Sequence, residues 1–397
     1  MTAMRTLSPI AKPAPAVADN APVFITGASG FIGGKLAERL LASGRAVRAL
    51  SRRPPPELEK LGAEIVLGDL HDYAALARGC AGAGTVFHVA GRVGVWGPPG
   101  DFFRVNVGGT RNVLDAARSA GVLRLVYTSS PSVIYHGGDL AGVDESAPLC
   151  TQAPCAYPTS KAAAEKLVLE ANSPGFATTA LRPHLVWGPG DRNVVPRVLA
   201  LAAKDRLKIV GSGRNKVDLT HIENVLDAHL LAEKALAVAG LGEPGPGSAT
   251  PATTAHPPAQ SHVIRDFPSE ITPEACHVIR DKPSGAGPAA GRAYFITNGE
   301  PVVLWDWIND LLRGLGRPPI TKTVTPGAAY AVGGVLELLW RVLPLEGEPP
   351  MTRFAAKELA TDHWFDISAA RRDLGYTPRV SIADGTAALI EHLRIMN

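Results

Sequence analysis

Tyr157-Pro158-Thr159-Ser160-Lys161 sets a phenol and an ammonium four positions apart. On a helix that spacing brings both side chains to one face. A free phenol titrates near ~10, too high to exchange protons readily at neutral pH. A neighbouring ammonium favours the phenolate and lowers that value. The pair can then act as general acid or base on a carbonyl or an alcohol. Many chains contain this spacing by chance, so its weight comes from position. It opens a predicted helix, downstream of a glycine-rich turn and of the serine-rich strand end Val126-Tyr127-Thr128-Ser129-Ser130-Pro131-Ser132-Val133. Ligands of open α/β sheets bind at the carboxyl ends of strands. A hydroxyl there can hydrogen-bond a reacting oxygen and steady developing charge. Ser130 is the first choice for that hydroxyl and Ser129 the reserve, while Ser132 fits a turn or capping serine better.

The glycine turn is Thr26-Gly27-Ala28-Ser29-Gly30-Phe31-Ile32-Gly33, placed after a predicted strand and opening a predicted helix. Glycine permits the tight turn and lets a pyrophosphate approach the backbone closely. The helix N-terminus adds free N–H groups and the positive end of its dipole. The spacing alone is a weak signal, but in this strand–turn–helix context it is a strong one. An acidic residue at the end of the second strand would bind the ribose 2′-hydroxyl of NAD. This chain has Ser51-Arg52-Arg53 there. A guanidinium holds a 2′-phosphate through charge-assisted bonds, so NADP(H) is favoured and NAD(H) stays open. The competing view makes Arg52 and Arg53 solvated loop charges.

These residues need a scaffold. Val23-Phe24-Ile25, 47–50, 65–67, 85–89, 123–128 and 177–181 read as buried strands. Segments with helical spacing, at Ile32/Leu36/Leu40, 105–120 and 159–171, alternate with them. Strands apolar on both faces with helices between them predict an α/β, doubly wound parallel sheet of Rossmann type over 22–190. A smaller C-terminal substrate-binding lobe, interleaved with late sheet elements, is expected from 191–240 and 292–397. Residues 1–21, rich in Ala and Pro, read as a flexible leader. Residues 241–291 read as a disordered or surface insertion, with His262-Val263-Ile264-Arg265-Asp266 repeated at 277–281.

Of the 397 residues, 46% are hydrophobic and 19% charged, which allows a sizeable core and excludes global disorder. A net charge of +3 without a long basic run argues against nucleic-acid binding. Four scattered cysteines, with no CxxC and no HExxH, argue against a disulfide framework and predict no metal. A reducing cytoplasm is the default compartment. The apolar stretch 328–345 could line a substrate cleft, rest on a membrane surface, or form the core of the small lobe. His88, His184 and His221 read by default as packed structural histidines.

With these residues in place, the chain resembles an extended short-chain dehydrogenase/reductase from about Pro22 to Ile395, broken at 241–291. Gly68-Asp69-Leu70 is similar to the segment that contacts adenine in that family, and Phe87-His88-Val89-Ala90-Gly91 to its fourth strand, where small residues let the cofactor lie close. Asn106-Val107-Gly108-Gly109-Thr110 matches a helix opening whose asparagine orders the sheet–helix junction. Leu181-Arg182-Pro183 and Trp187-Gly188-Pro189-Gly190-Asp191 match the border of the nicotinamide. The resemblance implies a catalytic set of Ser130, Tyr157 and Lys161. It implies cofactor contacts at Gly27, Ser29, Gly30, Phe31, Ile32, Gly33, Arg52, Asp69, Leu70, Ala90, Gly91, Tyr157, Lys161 and Pro183. It also implies a homodimer formed through the helices near 106–120 and 157–171.

Within the family the chain is similar to the 3β-hydroxysteroid dehydrogenase branch, and there to bacterial enzymes of olefin biosynthesis. The supporting strings are Asn215-Lys216-Val217-Asp218, Tyr294-Phe295-Ile296-Thr297-Asn298-Gly299-Glu300-Pro301 and Gly347-Glu348-Pro349-Pro350-Met351-Thr352-Arg353-Phe354. That likeness implies NADP-dependent reduction of the 3-keto group of a long-chain 2-alkyl-3-oxoalkanoic acid to the 3-hydroxy acid. It implies an apolar small-molecule substrate, with peripheral membrane or enzyme-complex association as an option. The alternatives are a sterol-4α-carboxylate or 3β-hydroxysteroid dehydrogenase, a sugar-nucleotide epimerase or reductase, and a non-catalytic NADP-sensing regulator. The last commonly loses the tyrosine–lysine pair, which this chain keeps.

Overall fold

The computed structural model describes residues 21–237 and 287–396. The expected leader, apart from Ala21, and the insertion up to residue 286, including its repeat, lie outside the described residues. Residues 287–291 correct the expected boundary. Ala289 and Ala290 are buried in the core, and the Gly291 N–H donates to the Thr178 carbonyl at 2.8 Å. Two small apolar side chains and a backbone bond to a central strand make this a structural lead-in to the next strand.

Seven parallel strands form the main sheet in the order Arg292–Ile296, Ala177–Pro183, Arg124–Thr128, Thr85–His88, Val23–Thr26, Val47–Ser51, Glu64–Leu67. Val23 is opposite Val47 on one side and Thr85 on the other. The chain therefore builds outward from Val23–Thr26, then crosses back over it to add Thr85–His88. The crevice at such a reversal, beyond the strand carboxyl ends, is where doubly wound sheets take ligands. All residues of Val23–Thr26 and Thr85–His88 are buried, as expected for strands covered on both faces.

One face is covered by helices Phe31–Ala42 and Ile222–Ala237, the first burying Leu36, Ala37 and Leu40 at helical spacing. The other is covered by Tyr73–Cys80, Gly109–Ser119 and Ala156–Glu170. The segment expected as one helix over 105–120 is a π-helix, Phe103–Gly108, running into the α-helix Gly109–Ser119. A π turn inserts an extra residue per turn and re-aims its side chains; here it carries Asn106. Helix Ala156–Glu170 begins three residues earlier than its apolar periodicity suggests, so Tyr157 sits in its first turn.

The smaller lobe has its own core around Trp187, Trp305, Trp307, Leu311 and Leu312. Its four-stranded sheet runs Val302–Val303, Lys216–Val217, His363–Phe365, Leu140–Val143. The last strand comes from within the 22–190 segment, so lobe and main sheet interlock. Helix Pro326–Val342 corrects one expectation. It buries only Ala329, Gly333 and Glu337, while Val332, Val335, Leu338, Leu339 and Val342 are exposed. A β-carbon on Gly333 would come within 2.7 Å of the Thr352 backbone. The helix thus seats its small residues on that backbone, and its large apolar side chains face outward. Among the described residues, no helix is long and apolar enough to cross a membrane.

Candidate active site

Gly27 turns the chain out of Val23–Thr26 with a φ of +76°, and a β-carbon there would meet the Ala90 nitrogen at 2.6 Å. A β-carbon on Gly33 would strike the Gly27 carbonyl oxygen at 2.3 Å. Only glycine lets the turn lie against the loop at Ala90 and lets the first helix close on the turn. Gly30 is the N-cap of that helix and no side chain caps it, an arrangement suited to an anion. Beside the turn a cavity of about 840 Å³ runs from Ser29, Gly30 and Phe31 to Ser51, Arg52 and Arg53. Its two acids are partnered: Glu38 by Lys35 at 2.7 Å and Glu57 by Lys60 at 3.4 Å. Arg52 and Arg53 form no ion pair among the described residues. An uncapped helix end, a cradle that β-carbons would fill and guanidinium groups without an ion pair among the described residues fit the phosphates of a nicotinamide dinucleotide.

The other expected cofactor contacts lie outside that cavity's lining. Gly27, Ile32 and Gly33 stand behind the turn or on the helix. The exposed Asp69 carboxylate accepts the His71 N–H at 2.7 Å. Leu70 is buried against Gly109. Pro183 is buried at the end of its strand. Ala90 and Gly91 lie between the glycine turn and the tyrosine–lysine helix: the β-carbon position of Gly91 is 3.7 Å from Lys161 Nζ. Asn106 fixes this junction. Its Oδ1 accepts the Arg92 N–H at 2.7 Å, and its Nδ2 donates to the Arg92 carbonyl at 3.1 Å and to Ser160 Oγ at 2.9 Å.

Ser130, Tyr157 and Lys161 converge at the end of strand Arg124–Thr128. Lys161 is 4% exposed; its ammonium donates to the Thr128 carbonyl at 2.7 Å and lies 4.3 Å from the centre of the Tyr127 ring. Burial pushes its pKa down to about 7, against the opposing pull of Glu165. Burial also raises the Tyr157 phenol above its ordinary range; the Ser130 hydroxyl opposes this and Cys155 adds to it. The expected lowering of the phenol by Lys161 is therefore absent from the ligand-free site. The ammonium is held by a carbonyl and a ring, and loss of water dominates at both groups. Ser130 Oγ also accepts the Ser132 N–H at 3.2 Å and the Ser132 hydroxyl at 3.0 Å. The capping role expected of Ser132 thus falls on Ser130, which caps the short turn Pro131–Ile134 while facing the phenol. Ser129 is buried and its hydroxyl has no hydrogen-bond partner among the described residues.

The 3-beta hydroxysteroid dehydrogenase/isomerase family matches residues 24–247. The chain belongs to this family. It is an oxidoreductase of the extended short-chain dehydrogenase/reductase type. Among its relatives in the family, the 2-alkyl-3-oxoalkanoate reductase of Stenotrophomonas maltophilia is 40% identical over 370 residues, covering 92% of this chain and 98% of that protein. The 2-alkyl-3-oxoalkanoate reductase of Shewanella oneidensis is 39% identical, covering 92% and 84%. The sterol-4-alpha-carboxylate 3-dehydrogenase (decarboxylating) of Mus musculus is 28% identical, covering 93% and 91%. In fold the chain is similar to MoeE5 in complex with UDP-glucose and NAD, with a TM-score of 0.63 and 25% identity over 94% of this chain and 99% of that one.

Around Ser130, Tyr157 and Lys161, burial holds four histidines neutral. His88 bridges Thr26 Oγ1 at 2.7 Å and Thr110 Oγ1 at 2.9 Å, and burial lowers its pKa to about 3. His229, which no sequence motif marks, meets Thr128 Oγ1 at 2.8 Å behind the strand end, and burial lowers its pKa to about 4. His221 is also lowered to about 4, and its ring packs edge-on against Trp187. His184 gives its Nδ1–H to the Asp218 carbonyl at 2.8 Å, and a ring nitrogen of His184, a ring nitrogen of His363 and a carboxylate oxygen of Glu358 all lie within 4.8 Å of one another. Arg182 is locked to Glu165 at 2.6 Å, with both side chains buried. None of these pairings has a fixed spacing along the chain, so no motif announces them.

Proposed function

We propose that this enzyme uses NADP(H) to reduce the 3-keto group of a long-chain 2-alkyl-3-oxoalkanoic acid to the 3-hydroxy acid. The observation that carries the reading is the convergence of Ser130, the Tyr157 phenol and the buried Lys161 ammonium at the end of strand Arg124–Thr128, with Lys161 beside Gly91 on the flank of the glycine cradle. Two relatives about 40% identical bear the name of that reaction, and the unpaired Arg52 and Arg53 on the cavity wall suit a 2′-phosphate.

In this reading Gly27, Ser29, Gly30, Phe31, Ile32 and Gly33 take the pyrophosphate, Arg52 the 2′-phosphate, and Asp69 and Leu70 the adenosine end. Ala90, Gly91 and Pro183 border the nicotinamide. A dihydronicotinamide held there would supply the hydride that the ketone carbon receives. Ser130 hydrogen-bonds the ketone oxygen and orients it toward Tyr157. The Tyr157 phenol, protonated across the neutral range because burial raises its pKa, gives its proton to the oxygen as it becomes an alcohol, and solvent reprotonates the phenolate. Lys161 holds the nicotinamide ribose and, once charged, stabilises the transient phenolate. The enzyme acts as a homodimer, and the exposed apolar face of helix Pro326–Val342 rests on a lipid surface that delivers the substrate.

The test is a panel followed at the nicotinamide absorbance: long-chain 2-alkyl-3-hydroxy acids, a 3β-hydroxysterol, a sterol-4α-carboxylate and a UDP-sugar, each with NADP+ and with NAD+. The 2-alkyl-3-hydroxy acid with NADP+ is expected to give the highest kcat/KM. A higher value for either sterol or for the UDP-sugar overturns the substrate assignment.

A further inference from the structure

A 3-oxo acid carries a carboxylate two carbons from the reacting ketone, and the catalytic set has no cation to spare for it. Arg182 is locked to Glu165, Arg353 pairs with Glu337 at 2.7 Å, and Arg192 reaches toward the Ser29 carbonyl at 3.3 Å on the cofactor side. Lys357 is different. It makes no ion pair among the described residues, and its ammonium lies 5.7 Å from the centre of the Tyr330 ring. Its Nζ is 2.9 Å from the β-carbon position of Gly137. The Tyr135 hydroxyl is 3.8 Å from that same point. Tyr135 is 2% exposed, its ring packs on Phe354 at 4.9 Å, and its buried hydroxyl has no hydrogen-bond partner among the described residues. An orphaned buried donor is costly unless a ligand satisfies it.

The position relative to the chemistry is set by the chain. Tyr135 ends the short turn that Ser130 caps, and Cys155, two residues before Tyr157, lies within electrostatic reach of both tyrosines. Lys357 approaches from the small lobe on the short helix Arg353–Glu358. We propose that Lys357 Nζ and the Tyr135 hydroxyl form the carboxylate-binding end of the substrate cleft, so that the enzyme recognises a 3-oxo acid by its acid group as well as by its ketone. This rests on the substrate class given above. A carboxylate that acts on Tyr135, and so opposes an incoming anion, is Glu358; burial raises its pKa and favours its neutral form, with His363 opposing.

The experiment runs in the direction of alcohol oxidation, because 3-oxo acids decarboxylate readily. It compares a long-chain 2-alkyl-3-hydroxy acid with the matching secondary alcohol that lacks the carboxylate. Lys357→Met is expected to raise KM for the acid about 10- to 100-fold at nearly unchanged kcat, the range for losing a charge-assisted bond, and to leave the neutral alcohol unchanged. Tyr135→Phe, which keeps the ring packed on Phe354, is expected to give a smaller rise confined to the acid. A second arm, independent of turnover, measures binding of a 2-alkyl fatty acid and of its methyl ester by calorimetry. The wild-type protein should prefer the acid, and Lys357→Met should erase the preference. Equal effects on acid and neutral compounds, or none, overturn the proposal even if the wild-type enzyme oxidises the hydroxy acid. If the acid preference depends on Lys357 while no hydroxy acid is oxidised, the binding end stands and the proposed reaction falls.

Discussion

Replacing Lys161 with Met should stabilise the ligand-free protein near neutral pH while destroying its activity. The ammonium is 4% exposed, and burial takes its pKa from 10.5 to about 7. At about 1.4 kcal/mol per unit, holding it charged costs roughly 4–5 kcal/mol below neutral pH. Two favourable contacts offset part of that cost. Losing the bond to the Thr128 carbonyl leaves a buried acceptor unsatisfied, at about 1–3 kcal/mol. Losing the Tyr127 ring contact costs a further ~0.5–2 kcal/mol. The net expectation at pH 7 is a variant more stable by about 1–2 kcal/mol, since methionine fills a similar volume without a charge. The pH dependence gives the sharper test. Because the folded value lies below the unfolded one, the unfolded chain holds the extra proton between about pH 7 and 10.5. Stability of the wild type from this group is therefore fully present above 10.5 and is lost as pH falls toward 7. The variant lacks this term, so its advantage should shrink by about 1.4 kcal/mol per pH unit, vanish between about pH 8 and 8.5, and be reversed at pH 10, where little besides the lost contacts remains. Urea unfolding of both proteins at pH 7 and pH 10 measures it. A variant that is less stable at pH 7 by the same amount as at pH 10 would refute the claim that Lys161 is held charged at a cost.

Tyr157→Phe removes the proton donor and keeps the ring, so kcat should fall by about a thousandfold or more, with cofactor affinity by fluorescence titration changed less than about threefold. A variant with near-normal turnover would remove Tyr157 from the mechanism. Arg52→Ala should raise KM for NADPH by about tenfold or more, the loss expected for a charge-assisted phosphate contact, and should leave KM for NADH alone; parallel changes would mean that Arg52 is a solvated charge. Leu338→Glu places a charge on the apolar stripe and should abolish co-flotation with liposomes while leaving turnover of a short-chain, water-soluble hydroxy acid unchanged. Retained flotation would detach that face from lipid.

Much of the main sheet was legible because its signals are local. Val23-Phe24-Ile25 is a run apolar on both faces, the glycine turn follows it at once, and Leu36 and Leu40 mark the inner side of the next helix. The same locality exposed the tyrosine and lysine, which need only a helix to share a face. Helix Pro326–Val342 was misread as a candidate core element for a physical reason. Periodicity locates an apolar face but says nothing of what covers it, and here the close-packed face is the one with Ala329 and Gly333, because only small side chains let the helix approach the backbone at Thr352. The polar contacts that aim the site were not legible at all. Asn106 to Ser160 spans 54 positions, Thr128 to His229 spans 101, and Arg182 to Glu165 joins a strand to a helix. Each is a single pair of ordinary residues brought together only by topology.

The tyrosine–lysine pair shows how far spacing carries a chemical argument. Four positions on a helix bring an ammonium to the face of a phenol, and Coulomb attraction then favours the phenolate. The folded protein sets a larger effect against it. Both groups have lost most of their water, so the neutral form of each is favoured: the phenol is raised and the ammonium lowered to about 7. Low dielectric is also what makes a charge there effective, since the same interaction is several times stronger than at the surface. A bound anion that favours the charged lysine would therefore strengthen its stabilisation of any phenolate formed beside it. Residue spacing specifies which groups can interact, and burial specifies when they do.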